Sequence, residues 1–500
     1  MQPSDLALLS TDQMRRADGI AIATGTAGIT LMERAGSAVA DAALRRVGKG
    51  ARVAIACGPG NNGGDGFVAA RLLQESGVTV QVALLGSPDA LQGDAALAFA
   101  QWSGPVLPLA SLGDGTIDLY IDALFGAGLK RPLAGEAAEA VALMNGAGRP
   151  VIAVDIPSGV SGDTGQAEGP AVRATETVTF FRLKPGHLLL PGRALCGEIV
   201  VADIGIPAAR ALSEIAPATF RNEPALWLAA LPHHGLDTHK FRRGAVAVAA
   251  GGITGVGAPR LSARAALRIG AGLVTILCAP GALAAHASHG PNAVMQRPVA
   301  DGEAFTGFLQ DRRISAIVAG PALGLDERAA ALVRSVLASD RPAVLDADAL
   351  TLLATSLREE APASNPTYPR VFTPHEGEFQ RLFGKEPAIA MEASKLERAR
   401  KAAAHADAIL VYKGADTVIA APDGRAAINA TGSAALATAG SGDVLAGLIA
   451  GLLAQGMSAF EAACAAVWLH GRAGEALGMG LIADDLPEAV PPLLRSLSAG

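Results

Sequence analysis

A chain of 500 residues is too long for one ordinary core, so two or three domains are expected. Half of its residues are hydrophobic yet only 4% are aromatic, and Ala and Gly fill the gap, a mix that suits closely packed α/β layers. The formal charge of −6 and the lack of a Lys/Arg run argue against a nucleic-acid partner.

In chain order, Met1-Gln2-Pro3-Ser4-Asp5 lacks the basic and apolar regions of a signal peptide. Residues 12–47 read as helix, interrupted around 25–30. Buried strands are expected at 52–57, 79–84, 119–123 and 151–156, with a helix over 63–76 that is established by Phe67. Between 207 and 240 the pattern breaks down at Pro217, Pro224, Pro232 and the pair His233-His234, which places a domain boundary near 222–236. Beyond it, strands are expected at 245–250, 273–278, 316–319, 343–345 and 408–412, and helices at 326–337, 392–405 and 444–453. Strand–helix alternation implies parallel sheets covered on both faces. The fold class is therefore α/β, with two domains, 1–222 and 236–500, each a parallel-sheet α/β/α sandwich. Spacings in the two halves do not repeat, so they are different domains. The apolar runs have strand length, so no membrane partner is expected. Cys57, Cys196, Cys278 and Cys464 are scattered without metal spacing, and reduced, buried thiols in a cytoplasmic protein are expected.

The first half carries three polar strand ends. Gly58-Pro59-Gly60-Asn61-Asn62-Gly63-Gly64-Asp65-Gly66 follows the strand at 52–57, and its glycines permit a phosphate or pyrophosphate to approach backbone N–H groups. Its spacing differs from GxGxxG, which weakens a hydride-transfer reading. Ile121-Asp122-Ala123-Leu124-Phe125-Gly126-Ala127-Gly128-Leu129-Lys130-Arg131-Pro132 is the second end, and Val154-Asp155-Ile156-Pro157-Ser158-Gly159 the third. Ligands of parallel sheets bind beyond the carboxyl ends of strands, so these loops are expected to converge. Asn62, Asp122 and Ser158 could then supply oxygen ligands to one cation, Asp155 has the placement of an acid/base, and Lys130 and Arg131 offer charge for phosphates. The plainer alternative for Asp155 is a strand-end carboxylate that caps the next loop.

Together with Met14-Arg15-Arg16-Ala17-Asp18 and Leu31-Met32-Glu33-Arg34-Ala35-Gly36, these loops resemble the epimerase domain of the NAD(P)H-hydrate repair enzymes, over roughly residues 10–215. The resemblance implies a Rossmann-like fold. It implies that Asn61, Asn62, Gly63, Gly64, Asp65, Gly126, Ala127, Gly128, Leu129, Lys130, Arg131, Pro132 and Asp155 contact the hydrated nucleotide. It also implies that Asn62, Asp122 and Ser158 hold potassium. Ala127 stands where threonine is frequent in that family, and Lys130 where asparagine is.

In the second half, Leu345-Asp346-Ala347-Asp348-Ala349-Leu350 places two carboxylates at a strand end, and Phe372-Thr373-Pro374-His375-Glu376-Gly377-Glu378-Phe379 follows. Val411-Tyr412-Lys413-Gly414-Ala415-Asp416-Thr417-Val418-Ile419 reads as strand, turn and strand, a wall for an adenine nucleotide. Thr438-Ala439-Gly440-Ser441-Gly442-Asp443 then opens an apolar helix. Its unpaired N–H groups favour an anion, and Asp443 beside them makes sense as a base for a hydroxyl that approaches a phosphate. No Walker lysine loop is present. Alternatives stay open: a glycine-rich turn with an acidic first helical turn at Asp443, a capping or core histidine at His375, a strand-end cap at Asp348, and a solvated charge at Lys413.

The order of these motifs resembles the ribokinase-like superfamily, and within it the ADP-dependent NAD(P)H-hydrate dehydratases, over about residues 236–495. His239-Lys240, Arg243-Gly244, Gly257-Ala258 and Gly320-Pro321-Ala322-Leu323-Gly324 belong to the same likeness. It implies that Lys413, Gly414, Ala415, Asp416, Thr417 and Gly442 bind ADP and AMP, with a magnesium ion on the phosphates. Ala258, Gly320, Ala322, Gly324, His375 and Asp443 would face the hydrate. Ala322 stands where glycine is common. The expected function is repair of NAD(P)HX by epimerisation and ADP-dependent dehydration, with homo-oligomerisation expected. Two alternatives are a kinase of a small alcohol or vitamin precursor carrying an N-terminal nucleotide-binding module, and a non-catalytic nucleotide sensor.

Overall fold

Short apolar, β-branched runs bounded by glycine and proline set the strands. The computed structural model, which describes residues 2–113, 115–129, 131–357 and 368–498, gathers them into two sheets. One compact unit is Ala7–Thr219, and the other runs from Phe220 onward and takes in the segment that ends at Leu6. The chain thus passes between units ahead of the Pro-rich stretch 222–236.

The first unit holds β1 (Arg52–Cys57), β2 (Thr79–Leu84), β3 (Val106–Pro108), β4 (Leu119–Ala123), β5 (Val151–Val154), β6 (Glu176–Phe180) and β7 (Glu198–Ala202). They pair in parallel in the order β3-β2-β1-β4-β5-β6-β7. Alternation along β1 sends Val53, Ile55 and Cys57 into one apolar cluster and Ala54 and Ala56 into another, so both faces of the sheet are covered. Each buried Val or Ile contributes about 1.5–3 kcal/mol. The helix after β1 begins at Asn61, well ahead of Phe67, and so Gly63, Gly64 and Gly66 are helical residues. Glycine is needed there for close approach: a Cβ on Gly66 would meet Ala123 Cβ at 2.7 Å and Cys57 Sγ at 2.8 Å. Strand β5 stops at Val154 because Asp155 takes a left-handed φ of 68°.

The second unit holds β8 (Thr219–Asn222), β9 (Ala245–Ala249), β10 (Leu273–Cys278), β11 (Val294–Pro298), β12 (Ile314–Ala319), β13 (Ala343–Leu345), β14 (Arg370–Phe372), β15 (Ile409–Tyr412), β16 (Val418–Ala420) and β17 (Ala426–Asn429). Their order is β11-β10-β9-β12-β13-β14-β15-β16-β17-β8. From β11 to β15 every pairing is parallel, and β15–β16 and β16–β17 are antiparallel. The reversal follows from chain length: a turn as short as 413–417 can close a hairpin but cannot make a parallel crossover. Helix Ser441–Ala454 packs against helix Gly257–Arg268 so closely that a Cβ on Gly447 would lie 2.1 Å from Ser262 O. No helix among the described residues is long and apolar enough to cross a membrane. All four cysteines are buried and unpaired.

Two candidate active sites

In a doubly wound sheet a crevice opens where the strand order reverses. In the first unit that point lies between β1 and β4, the strands that carry the first two polar loops. A cavity of about 610 Å³ lies there, lined by Asn61, Asn62, Asp65, Gly126, Ala127, Gly128, Leu129 and Asp155. No side chain caps helix Asn61–Glu75 at Gly60, which leaves its first amides available to an anion. Gly63 and Gly64 are buried within the helix, and Arg131 and Pro132 are exposed beyond the lining. Lys130 lies outside the described residues.

Asp155 is clamped on several sides. Lys184 Nζ donates to its Oδ1 at 2.5 Å, Thr179 Oγ1 donates to the same oxygen at 3.2 Å, and the Ala127 N–H donates to Oδ2 at 3.0 Å. Burial alone would raise its carboxyl, but the charge and hydrogen bond of Lys184, with Ala127 and His187, outweigh it and leave it at about 2. His187 Nδ1 accepts the Lys184 N–H at 2.9 Å, so Nε2 carries the ring proton and donates to the Asp155 carbonyl at 2.9 Å. Burial, with Lys184, holds that imidazole down at about 4. Three more carboxylates, Asp18, Asp65 and Asp94, line the cavity. Burial pushes Asp18 up to about 6 despite Lys184, and Asp65 is raised well above its usual range by burial and by Asp155 and Asp18.

Asp122 is fully buried; its oxygens accept from Ser158 N at 2.8 Å, Ser158 Oγ at 2.6 Å and Leu124 N at 3.3 Å, and burial still raises it to about 6. The Asn62 Nδ2 atom is buried with no hydrogen-bond partner. A Cβ on Gly126 would stand 3.2 Å from Asn62 Oδ1 and 2.9 Å from Asp155 Oδ2, so those two side chains converge. A buried carboxylate, a hydroxyl and an amide make a hard, oxygen-rich set that fits potassium.

In the second unit the order reverses between β9 and β12. The loops beyond them touch: a Cβ on Gly251 would lie 2.4 Å from Ala322 O, and one on Gly255 2.6 Å from Ala322 Cβ. That brings the helix start bearing Ala258 beside Ala322, and Gly324 N–H donates to Asp348 Oδ2 at 2.9 Å. Asp348 therefore ties the Gly320–Gly324 loop, rather than merely capping a strand end. Ala322 itself sits at φ 48°, where glycine is at ease and a methyl is strained.

Lys413 pairs with the buried Asp346 at 2.8 Å and approaches Glu378 at 3.9 Å. A Cβ on Gly442 would lie 3.4 Å from Lys413 Nζ and 3.6 Å from Asp346 Oδ2, so the start of helix Ser441–Ala454 meets this ion pair. Gly440 begins that helix in the left-handed region and no side chain caps it. Ser262 Oγ donates to Asp443 O at 2.8 Å and fixes the turn. Burial raises the Asp443 carboxyl to about 6, helped by Asp346 and Asp348 and opposed by Lys413. Such a group is ionised at neutral pH yet basic enough to take a proton.

Gly414 and Thr417 close the hairpin turn through Gly414 N to Thr417 Oγ1 at 3.1 Å and Thr417 Oγ1 to Gly414 O at 2.7 Å. Ala415 is exposed at its tip, and Asp416 pairs with Lys395 at 2.5 Å. His375 caps helix Glu376–Phe383: its Nδ1 accepts from Gly377 N at 2.9 Å and Glu378 N at 3.3 Å, and its ring stays exposed. Among the described residues no three His, Cys, Asp or Glu side chains group as a metal cage.

Sequence reading missed Lys184, Thr179 and His187. They belong to β6 and to the segment Lys184-Pro185-Gly186-His187 after it, and a β-branched run ending in polar residues with a Pro-Gly pair was the available signal. Asp346 was noted as a strand-end acid, but not as the partner of Lys413.

A profile of the NAD(P)H-hydrate dehydratase family matches residues 246–488, and one of the YjeF-related protein N-terminus matches residues 28–186. The bifunctional NAD(P)H-hydrate repair enzyme of Thermofilum pendens is 39% identical over 93% of this chain and 92% of its own. The enzyme of that name from Escherichia coli is 34% identical, with 95% and 91% covered. Among solved structures, the ADP/ATP-dependent NAD(P)H-hydrate dehydratase of Bacillus subtilis is 29% identical, aligning with 55% of this chain and 98% of its own at a TM-score of 0.48. With more than a third of positions shared along nearly its whole length, this chain belongs to the bifunctional NAD(P)H-hydrate repair enzyme family.

Proposed function

We propose that the chain repairs hydrated nicotinamide cofactors in two steps, one in each unit. The observation that carries the reading is the likeness over both units to bifunctional repair enzymes, with an aspartate at each switch-point crevice. In the first unit Asp155 takes the proton of the 6-hydroxyl as the ring carbon–nitrogen bond opens, and returns it when the ring closes on the other face. This interconverts (R)- and (S)-NAD(P)HX, with Asn61 to Asp65 and the loop 126–132 holding the nucleotide. Potassium, held by Asn62, Asp122 and Ser158, would supply positive charge beside the substrate's oxygens.

In the second unit Asp443 takes the proton of the 6-hydroxyl of the (S) epimer, and that oxygen attacks the terminal phosphorus of ADP, releasing AMP. The open amides of helix Ser441–Ala454 and the Lys413 ammonium offset the developing charge. Loss of the phosphate from carbon 6, with a proton from carbon 5, restores the double bond and gives NAD(P)H. Lys413 to Thr417 and Gly442 hold the nucleotide; Ala258, Gly320, Ala322, Gly324, His375 and Asp443 face the hydrate. Magnesium bound to the phosphates would supply further positive charge there. A cytoplasmic location and self-association complete the proposal.

The test is to mix the protein with an epimer mixture of NADHX, K⁺, Mg²⁺ and ADP or ATP, and to follow the return of reduced-nicotinamide absorbance. Full recovery is expected with ADP. Recovery of the (S) fraction alone would mean that the first unit is no epimerase, and a stable phosphorylated alcohol would return the second unit to the kinases.

A further inference from the structure

Asp155 is held harder than a strand-end cap requires. Its backbone is left-handed, His187 grips its carbonyl, and Lys184 and Thr179 share its Oδ1. Lys184 is only 2% exposed, and its Nζ also donates to Thr179 Oγ1 at 2.8 Å, so the ammonium cannot swing away to water. A buried ion pair is a weak source of folding stability, because desolvation of both charges offsets their attraction. This pair sits in the cavity wall, where Lys184 and Asp155 both reach the lining. The charges that face it are Asp18 and Arg15 from helix Thr11–Ala23, Asp65 from helix Asn61–Glu75, Asp94 from helix Gly93–Ala100, and the ring of His187. Without Lys184, the two acids that interact with Asp155, Asp18 and Asp65, would drive its negative charge off.

We propose that Lys184 is the positioning residue of the epimerisation site, holding the Asp155 carboxylate as an anion aimed at the cavity against the repulsion of Asp18 and Asp65. The inference rests on the reading of Asp155 as the proton carrier. Lys184 thereby sets the lowest pH at which the epimerisation step runs, while Thr179 and His187 keep the pair in register.

The experiment uses the full chain with Lys184→Met, Lys184→Arg, Thr179→Val and Asp155→Asn. Interconversion of (R)- and (S)-NADHX is followed against pH with ADP left out, and dehydration of the (S) epimer with ADP present serves as the control for the second unit. In Lys184→Met the acid limb of the epimerisation profile moves up by about one pH unit or more, and the rate near neutrality falls about tenfold or more. Lys184→Arg keeps the limb close to that of the parent. An unmoved limb in Lys184→Met overturns the proposal. Should that variant fail to fold, Thr179→Val decides, since it removes the anchor and leaves the ammonium: an upward shift supports the proposal and an unmoved limb overturns it. If Asp155→Asn still interconverts the epimers, the reading of Asp155 falls and takes the inference with it. If Asp155→Asn is inactive and the Lys184 profile is unmoved, only the inference falls.

Discussion

Asp443→Asn should cut dehydration severely and at the same time stabilise the second unit. The carboxyl stands at about 6 against an ordinary value of 3.8, because burial and the neighbouring Asp346 and Asp348 penalise its anion more than Lys413 favours it. A native value above the unfolded one means that the fold is most favoured when the group is protonated. Stability is therefore at its full value below the unfolded titration range and is lost as pH rises toward 6. The loss is about 3 kcal/mol once the group is ionised in both states. An amide keeps the shape and never ionises, so above neutrality Asp443→Asn should unfold later by an amount on the order of 3 kcal/mol, and the gap should close in acid. Removing the base should cut turnover by about 10²–10⁴. The parent enzyme should lose about tenfold in dehydration rate per pH unit well below 6. Heat unfolding at acid and alkaline pH, paired with recovery of NADH absorbance from (S)-NADHX and ADP, reads both effects. An Asn variant that keeps full turnover would sink the assignment of the base. One that is less stable than the parent in alkali would show that Asp443 is held by attraction and not strained by repulsion.

Three further outcomes follow from single contacts. Lys413→Met leaves Asp346 buried with no opposite charge, which should destabilise the second unit by about 3 kcal/mol in denaturant titration and raise the KM for ADP. Ala322→Gly relieves a left-handed alanine at φ 48°; a relief of about 1–2 kcal/mol exceeds the chain-entropy cost of about 0.5–1, so the thermal midpoint should rise slightly. A fall would mean that the methyl packs usefully on the Gly255 loop. Gly66→Ala should cost about 1–3 kcal/mol in the first unit despite a better helix residue, since its Cβ has no room between Ala123 and Cys57. Unchanged stability there would mean that the helix shifts freely off the sheet.

Local chemistry made much of this legible. Asp443 announces itself by following the glycine-marked break Gly440-Ser441-Gly442, and Asp155 by ending an apolar run just ahead of Pro157-Ser158-Gly159; the loops at 58–66 and 320–324 carry similar glycine and proline marks. Pairings were out of reach. Lys184 lies 29 residues from Asp155, and Lys413 lies 67 from Asp346; no local pattern says which strand ends become neighbours. Strands β3, β7, β8, β11, β14 and β17 escaped notice because each is short or half exposed, or carries polar residues, so its apolar signal is weak. Strand β6 reads Glu-Thr-Val-Thr-Phe, an alternation with the pattern of a half-buried strand, although all five residues are buried. The start of the helix at Asn61 was hidden for the opposite reason. Three glycines look like a loop, and only the sheet behind them explains why a helix would choose residues that weaken it.

Two aspartates in similar places have been pushed in opposite directions. Asp155 has an ammonium at 2.5 Å and stands at about 2 despite its burial, whereas burial, with Asp346 and Asp348 beside it, outweighs Lys413 at Asp443 and leaves it at about 6. Environment, and not residue type, sets what a carboxyl can do. In the proposed dehydration Asp443 takes a proton outright as the substrate hydroxyl attacks phosphorus, a step in which the base must gain the proton and keep it while charge moves onto phosphate. Asp155 is too weak a base to keep a proton, which suits the proposed reversible inversion, in which the same proton must be handed back. Acidification should therefore silence the two units in order. Near pH 5 epimerisation should continue while dehydration falls to about a tenth, so an (R)-enriched hydrate with ADP should relax to the equilibrium epimer ratio before NADH appears. If NADH recovery and epimer exchange instead fail together as the pH is lowered, the contrast between the two aspartates is not what separates the steps.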